Sequence, residues 1–327
     1  MTNLNILLFT IITTFSFGKI YIFLWKKLNF EALIPSGFGI FLPLIFILYA
    51  SFSFGFTSTH LLSYQIIMLA GIFYLIDDIK GLPPKIRLSL SFIFGIFISW
   101  ILIPDNAFIG YEIFIFLLIC GFFSVSLTNM INFYDGSDLN IATLIFLTST
   151  ILLFYIDKSE SLLENLGILM MGFSLGFGLI NKNPSSLYFG DSGSFILALI
   201  FLHFTLAYFF NFYKVPPEII VVLALPIFDV FYVMLIRLYY KHDMLSRNYL
   251  HLYQRLNIIY GSFFHLAPQI INVIVVLIFS SFMETFGLHK LSSVFFSCIL
   301  VTPFLYILCR YIFVEKSYFF GDGKSSE

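Results

Sequence analysis

The sequence predicts an all-α, polytopic integral membrane helix bundle with about eleven transmembrane helices. Of its 327 residues, 60% are hydrophobic and 11% are charged, whereas soluble domains carry roughly 25% charged residues. The mean hydropathy is +0.98. A helix that crosses a bilayer needs about 20 mostly apolar residues, and the chain contains eleven apolar runs that approach or reach this length.

These runs leave no room for a separate soluble domain. The first lacks a preceding basic segment and a small-residue cleavage site, which favours a retained span over a signal peptide. We expect one membrane domain over residues 1–315 and a polar cytoplasmic tail over residues 316–327. The predicted spans lie near residues 4–24, 38–56, 61–76, 88–103, 112–128, 139–156, 163–180, 192–212, 218–236, 266–284 and 291–313.

The Lys and Arg residues of the loops predict the orientation of the chain. With eleven spans, twelve loop Lys and Arg residues fall on one side of the membrane and three on the other. The side with twelve is expected to be cytoplasmic. The four polar segments described below all fall on that side. The net charge of −1 gives no indication of a nucleic-acid partner. The three cysteines lie in apolar runs at a spacing that fits neither a disulfide framework nor a zinc site.

The first polar segment ends a span with two adjacent acids, Asp77 and Asp78, and continues into a basic loop with Lys85 and Arg87. Adjacent carboxylates repel unless a cation or a proton relieves them. Magnesium is a natural partner because it takes oxygen ligands and bridges to substrate phosphates, and the two basic residues could hold phosphate oxygens. The alternative is a solvated helix end with basic anchors.

The second polar segment places a polar group at every third residue: Asn129, Asn132, Asp135 and Asp138. Side chains at i and i+3 share one face of a helix or tight turn, so the four would form one stripe. A plain polar loop would not need this spacing, which favours a functional role.

The third polar segment begins at Asn181 and contains Tyr188 and Asp191. Asp191 opens a span, so its carboxylate is expected near a helix N-terminus, either as a cap or as a magnesium ligand. The flanking glycines would let backbone approach a diphosphate, and Tyr188 could stack on a base.

The fourth polar segment, which begins at Arg237, is the most basic loop and carries Arg247, His251 and Arg255. It could bind phosphate or sugar, or anchor two helix ends. Asp229 lies about two turns inside the preceding span. An acid in that position is a functional candidate by default, and pairing with Arg237 is the alternative.

Five carboxylates and several cations on one face of an apolar bundle indicate a metal, a phosphorylated substrate and a lipid substrate. Phosphoryl transfer fits because it depends on positioning and charge neutralisation more than on covalent chemistry. An ion-coupled transporter is the competing class, but its ionisable residues would lie near mid-bilayer on broken helices. An intramembrane prenyltransferase is a third class, and product analysis would separate it from a sugar-phosphate transferase.

These motifs resemble those of the polyprenyl-phosphate N-acetylhexosamine-1-phosphate transferases, also called glycosyltransferase family 4. The resemblance runs from Ile34-Pro35-Ser-Gly37-Phe-Gly39 to the loop ending at Leu256. Its most specific parts are the Asp-Asp pair, the Asn-x-x-Asn-x-x-Asp-Gly-x-Asp run and the Phe-Gly-Asp-x-Gly-Ser run. It implies a Mg²⁺-dependent enzyme, with Mn²⁺ as a substitute, that transfers N-acetylhexosamine-1-phosphate from a UDP-sugar to undecaprenyl phosphate.

The resemblance further implies a multi-pass protein of the bacterial inner membrane with a cytoplasmic active site. It would carry out the first membrane step in the synthesis of an envelope polysaccharide such as O-antigen or teichoic acid. Whether the protein forms a homodimer is left open. We assign catalytic roles to Asp77, Asp78 and Asp135 and the magnesium ligand to Asp191. Substrate-binding roles are assigned, from the family pattern and the polar segments, to Asn129, Asn132, Asp138, Lys85, Asn181, Tyr188, Arg247, His251 and Arg255.

The chain departs from the family pattern at two places. Leu139-Asn140 follows Asp138 where the family has Gly-Leu, and Tyr253 and Gln254 replace the second and third histidines of a His-x-His-His motif. The absence of consecutive histidines argues against the phospho-N-acetylmuramoyl-pentapeptide transferase of peptidoglycan synthesis and for a plain UDP-N-acetylhexosamine donor. It leaves the role of His251 open.

Overall fold

A computed structural model describes residues 3–28, 34–52, 58–104, 107–108, 110–154, 161–182, 185–212, 217–242, 249–261 and 263–315. Within these ranges all regular structure is helical, which confirms the prediction of an all-α membrane bundle. The predicted tail over residues 316–327 lies outside the described residues.

Twelve α-helices make up the described part of the chain, and each of the eleven predicted spans coincides with one of them. The helix that was not predicted is α10, which is short and lies in the basic fourth segment. The bounds are α1 (Asn3–Lys27), α2 (Phe41–Phe52), α3 (Ser58–Lys80), α4 (Pro84–Leu102), α5 (Glu112–Tyr134), α6 (Asn140–Phe154), α7 (Ser161–Asn181), α8 (Gly190–Phe212), α9 (Pro217–Tyr239), α10 (Leu252–Tyr260), α11 (Ala267–Thr285) and α12 (Lys290–Cys309).

Eight of the described helices are long and apolar enough to cross a membrane: α1, α3, α4, α5, α8, α9, α11 and α12. Helices α2 and α6, which were also predicted as spans, are apolar but shorter. A 3₁₀ turn over Phe38–Ile40 leads into α2, and a π-helical turn over Arg310–Glu315 continues α12.

The chain divides into two compact units, Met1–Pro216 and Pro217–Glu327. The single domain expected over residues 1–315 stays a prediction, and each unit is described by itself.

Helix α8 is the central helix of the first unit. Every residue from Phe195 to Phe204 is buried, because α3, α4, α5 and the 3₁₀ turn before α2 all pack on this helix. Its sequence is apolar on all sides, which is the pattern of a helix enclosed by others. Helices α1 and α6 both pack against α7 in the same unit.

The polar residues of the first three segments lie at helix ends in the first unit. Helix α3 continues to Lys80, so the acidic pair lies within its last turn, and α5 continues to Tyr134, so Asn129 and Asn132 are helical. Helix α8 begins at Gly190, next to Asp191. Two helix C-termini therefore meet one N-terminus, and only the connecting turns are irregular.

In the second unit, helices α9, α11 and α12 pack against one another. Pro226 lies inside α9 and cannot donate the usual hydrogen bond to the carbonyl of Val222. The buried side chain of Gln269 supplies the missing donor, because its Nε2 lies 2.7 Å from Val222 O. The amide side chain therefore satisfies a backbone group that the proline frees.

This arrangement predicts an energetic coupling between Pro226 and Gln269. Replacing Gln269 by methionine should destabilise the protein by about 1–3 kcal/mol, because Val222 O loses its donor. The cost should be smaller in a Pro226→Ala background, where the alanine N–H can bond to Val222 O. Thermal unfolding in detergent of the four proteins of this double-mutant cycle measures the coupling. Equal costs in both backgrounds would contradict it.

Candidate active site

Asp191 lies at the centre of a polar cluster in the first unit. Its Oδ2 accepts a hydrogen bond from Arg87 Nη1 at 3.0 Å, and its Oδ1 accepts one from Asn132 Nδ2. Arg87 lies in the first turns of α4 and Asn132 in the last turn of α5. Helices α4 and α5 thus contribute one side chain each to a carboxylate on α8.

Arg87 also faces Asp77, whose Oδ2 lies 3.6 Å from the same guanidinium nitrogen. The two acids differ in environment, since the side chain of Asp77 is 3% exposed and that of Asp191 is 39% exposed. Asp77 is held by its other oxygen, which accepts a hydrogen bond from the backbone N–H of Leu82. The guanidinium therefore bridges one buried acid and one accessible acid.

Asp78 bonds to backbone rather than to a cation. Its Oδ1 accepts from Asp191 N at 2.9 Å and from Ser36 Oγ at 3.0 Å, and its Oδ2 accepts from Ser192 N at 3.0 Å. The carboxylate at the end of α3 therefore caps the N-terminus of α8, where unpaired N–H groups favour negative charge.

Asp135 ends α5 and adds a further acid to the cluster. Burial raises the pKa of its carboxyl well above the usual range, and the charges of Asp191 and Asp78 raise it further. A hydrogen bond from the backbone of Gly190 opposes this rise. Asp135 thus holds a proton at a higher pH than an ordinary carboxyl does.

Tyr188 lies beside this cluster, and the residue is 43% exposed. Burial raises the pKa of its phenol, and the charges of Asp138 and Asp135 raise it further. Tyr188 and Asp138 were both assigned to substrate binding, and the effect of the Asp138 charge on the phenol indicates that the fold places them near each other.

The second unit contains a separate polar cluster around Asp229. This buried carboxylate lies 2.9 Å from His251 Nδ1 and accepts hydrogen bonds from Leu252 N at 2.9 Å and Tyr306 Oη at 2.7 Å. Arg310 donates to the carbonyl of Leu250 at 3.0 Å. Asp229 therefore pairs with His251, at the start of α10, and the pairing with Arg237 considered from the sequence stays a prediction.

Residues 59–209 match the family described as "Glycosyl transferase family 4". This range contains Asp77, Arg87, Asn132 and Asp191. The resemblance to this family is confirmed over these residues.

Three curated relatives match part of the chain at modest identity. A Bacillus subtilis protein named "Probable undecaprenyl-phosphate N-acetylglucosaminyl 1-phosphate transferase" is 29% identical over 40% of this chain and 38% of its own length. A Streptococcus agalactiae phospho-N-acetylmuramoyl-pentapeptide-transferase is 27% identical over 44% of this chain and 48% of its own. A Methanocaldococcus jannaschii protein with a provisional glycosyltransferase name is 28% identical over 39% and 42%. The matches span less than half the length of each of these relatives.

The eight apolar helices of the described residues and the resemblance to membrane enzymes support a multi-pass membrane protein. The names of two relatives are those of sugar-phosphate transferases. The acidic cluster lies within the residues that match the family.

The site residues predicted from the sequence divide into several groups. Asp77, Asp78, Asn132, Asp135 and Asp191 lie in one cluster, as expected from the family motifs. Their catalytic and metal-binding roles stay predictions.

Three of the other predicted residues lie in different surroundings. Asn129 Nδ2 donates to Val125 O at 2.8 Å within its own helix. Lys85 is exposed in the first turn of α4. Asn181 is buried, accepts from Leu139 N at 2.7 Å and donates to Leu187 O at 2.8 Å. Both ends of the Asn181 amide are therefore used to hold two loops.

The remaining predicted residues belong to the fourth polar segment. His251 is buried against Asp229, and Arg255 is partly buried on α10. Arg247 lies outside the described residues.

Arg87 was expected from the sequence to be able to hold phosphate oxygens but was not among the predicted site residues. A usable signal was present, because Pro84 is favoured at the first position of a helix. With α4 starting there, Lys85 and Arg87 are about 200° apart around the helix axis. Only one of the two basic residues can face the acids, and it is Arg87.

The donor set suits magnesium bound together with a phosphorylated ligand. Among the residues that the structure describes, no three His, Cys, Asp or Glu side chains are arranged to enclose a metal by themselves. Magnesium, however, usually takes one or two carboxylates and completes its shell with phosphate oxygens and water. Asp191 fits this role because it is the more accessible acid of the Arg87 bridge.

The contacts of Asn181 predict a structural effect of its replacement. Asn181→Ala should lower stability by about 1–3 kcal/mol, because Leu139 N loses its acceptor and Leu187 O keeps only the hydrogen bond from Ser185 Oγ. Thermal unfolding in detergent measures the loss, and Lys182→Ala, at the exposed neighbouring position, is the matched control. An unchanged midpoint combined with a raised KM for the donor substrate would instead support the substrate-binding role.

Proposed function

We propose that this protein transfers N-acetylhexosamine-1-phosphate from a UDP-sugar to a polyprenyl phosphate in the membrane, producing a lipid diphosphate sugar and UMP. The observation that carries the proposal is the convergence of Asp77, Arg87, Asn132 and Asp191 on one cluster at the ends of apolar helices. The matched family and the names of the relatives support the same reaction class.

The reaction exchanges one phosphorus–oxygen bond for another. An oxygen of the lipid phosphate attacks the β-phosphorus of the nucleotide sugar, and the bond to the oxygen that bridges the two phosphates breaks. The negative charge of that bridging oxygen leaves with UMP. Acids alone would repel both substrates, so a phosphate-binding site among them needs positive charge.

The cluster can provide this positive charge in two ways. The Arg87 guanidinium lies between Asp77 and Asp191 and can offer its remaining N–H groups to phosphate oxygens. Magnesium, when bound to Asp191, would neutralise charge that develops on the diphosphate. Asn132 holds the Asp191 carboxylate from the other side.

Asp77 is our choice for the group that accepts a proton from the lipid phosphate or positions it. It is buried at the end of α3, next to the guanidinium. A covalent aspartyl intermediate is the competing mechanism.

The donor is proposed to be a plain UDP-N-acetylhexosamine, with N-acetylglucosamine as the first sugar to test. The Bacillus subtilis relative carries that sugar in its name, and this chain has Tyr253 and Gln254 in place of consecutive histidines. The proposed location is a bacterial inner membrane with the cluster facing the cytoplasm, as the distribution of Lys and Arg predicts.

Asp191→Asn is expected to reduce UMP release by about 10²–10³-fold, because it removes charge stabilisation at the reacting diphosphate. The assay uses detergent-purified protein, undecaprenyl phosphate, Mg²⁺ and either UDP-N-acetylglucosamine or UDP-N-acetylmuramoyl-pentapeptide. Glu112→Gln, which neutralises an exposed acid at the opposite end of α5, should retain full activity. Near wild-type turnover in the Asp191 variant would refute the metal assignment, and release of UMP from the pentapeptide donor alone would refute the sugar assignment.

A further inference from the structure

A short segment before α2, Pro35–Gly39, lies along the start of α8. The backbone N–H of Tyr188 donates to Pro35 O at 2.9 Å, Phe38 N donates to Tyr188 O at 3.3 Å, and Gly39 N donates to Phe189 O at 3.1 Å. We call Pro35–Gly39 the clasp. It lies outside the range 59–209 that matches the family, and none of the roles above uses it.

Glycines allow the clasp to approach α8 closely. A Cβ on Gly39 would collide with the Cα of Gly193, and one on Gly190 would collide with the backbone nitrogen of Gly37. Gly37 and Gly190 also have φ values of 90° and 86°, in the left-handed region that favours glycine. Backbone therefore lies directly against backbone here.

Asp78 fastens the clasp to α8. It accepts hydrogen bonds from Ser36 Oγ on the clasp and from the N–H groups of Asp191 and Ser192 on the helix. The carbonyl of Ser36 is itself held, because Tyr21 Oη donates to it at 2.6 Å. The backbone on both sides of Asp191 is thus fixed by groups that do not touch the Asp191 carboxylate.

We propose that the clasp and Asp78 form a positioning device that sets the direction of the Asp191 carboxylate. This inference rests on the proposed function, in which Asp191 acts at the diphosphate. It gives Asp78 a different role from Asp77: both Asp78 oxygens accept backbone N–H groups, so Asp78 acts through Asp191 and not on the lipid phosphate.

The physical reason is that charge stabilisation requires accurate placement. A displacement of about 1 Å can cost about 100-fold in rate, and a carboxylate in the first turn of a helix moves with that turn. Arg87 and Asn132 bind the Asp191 carboxylate from two other helices, so a shift of the α8 N-terminus would break both contacts together.

Amide hydrogen exchange of the purified protein, without substrates, tests the clasp directly. Peptides covering residues 188–193 should be protected in the wild-type protein, and Gly39→Ala should speed their exchange by about 10-fold or more because the segment opens locally. The matched control is Gly178→Ala in α7, where a Cβ meets only ordinary van der Waals contacts. Unprotected wild-type amides, or the same exchange in Gly39→Ala as in the control, would overturn the proposal.

Ser36→Ala tests positioning with a smaller change. It should lower kcat by about 10-fold while the KM for the UDP-sugar and the thermal midpoint stay unchanged, and Ser36→Thr, which keeps the hydroxyl, should restore kcat. Loss of activity that only follows a lowered thermal midpoint, or full activity of Ser36→Ala, would contradict positioning. A wild-type protein without transferase activity would refute the proposed function, and the exchange experiment would still decide whether the clasp holds α8.

Discussion

The structure of the candidate site depends on one interaction, the carboxylate of Asp78 against the backbone N–H groups that open α8. A helix N-terminus carries unpaired donors and partial positive charge, and an acid placed there contributes roughly 0.3–2 kcal/mol. Here the acid comes from the last turn of α3, so the cap also joins two membrane helices. Once this junction is made, the neighbouring Asp77 and Asp191 are brought to the same guanidinium.

The cluster concentrates acids where a soluble protein would avoid them. Asp135 shows the consequence, since its pKa is raised by burial and by the charges of Asp191 and Asp78. Arg87 offsets part of this repulsion, and a divalent cation with a phosphorylated ligand would change the balance again. Sites that bind strongly charged ligands commonly hold such unfavourable arrangements in the free protein, at a cost in stability.

Hydropathy predicted most of the fold because the bilayer constrains the length and composition of its helices. All eleven predicted spans lie on helices, whereas α10 was missed because it is short, basic and without a long apolar run. The ends of α3 and α5 were placed too early for a related reason. Polar residues such as Asp77 and Asn132 look like loop residues in a hydropathy profile, although the helices continue through them.

The sequence indicated which residues meet, but it separated their roles poorly. Adjacent acids look equivalent in a sequence, yet Asp77 faces Arg87 while Asp78 caps α8. Asn181 belongs to a polar motif, yet its amide is fully used in holding loops. These distinctions arise from contacts between residues far apart in the chain, such as Ser36, Asp78 and Asp191, and no local pattern encodes them.

The central claim is that the end of α5 and the start of α8 meet at one site, and cross-linking in the membrane tests it most directly. In a background without Cys120, Cys298 and Cys309, the Asn132→Cys and Asp191→Cys pair should form a disulfide under mild oxidation. The pair of Glu112→Cys with Asp191→Cys should not, because position 112 lies about 30 Å from position 132 along α5. Cross-linking of the first pair alone is the predicted result, and its absence, or equal cross-linking of both pairs, would contradict the account.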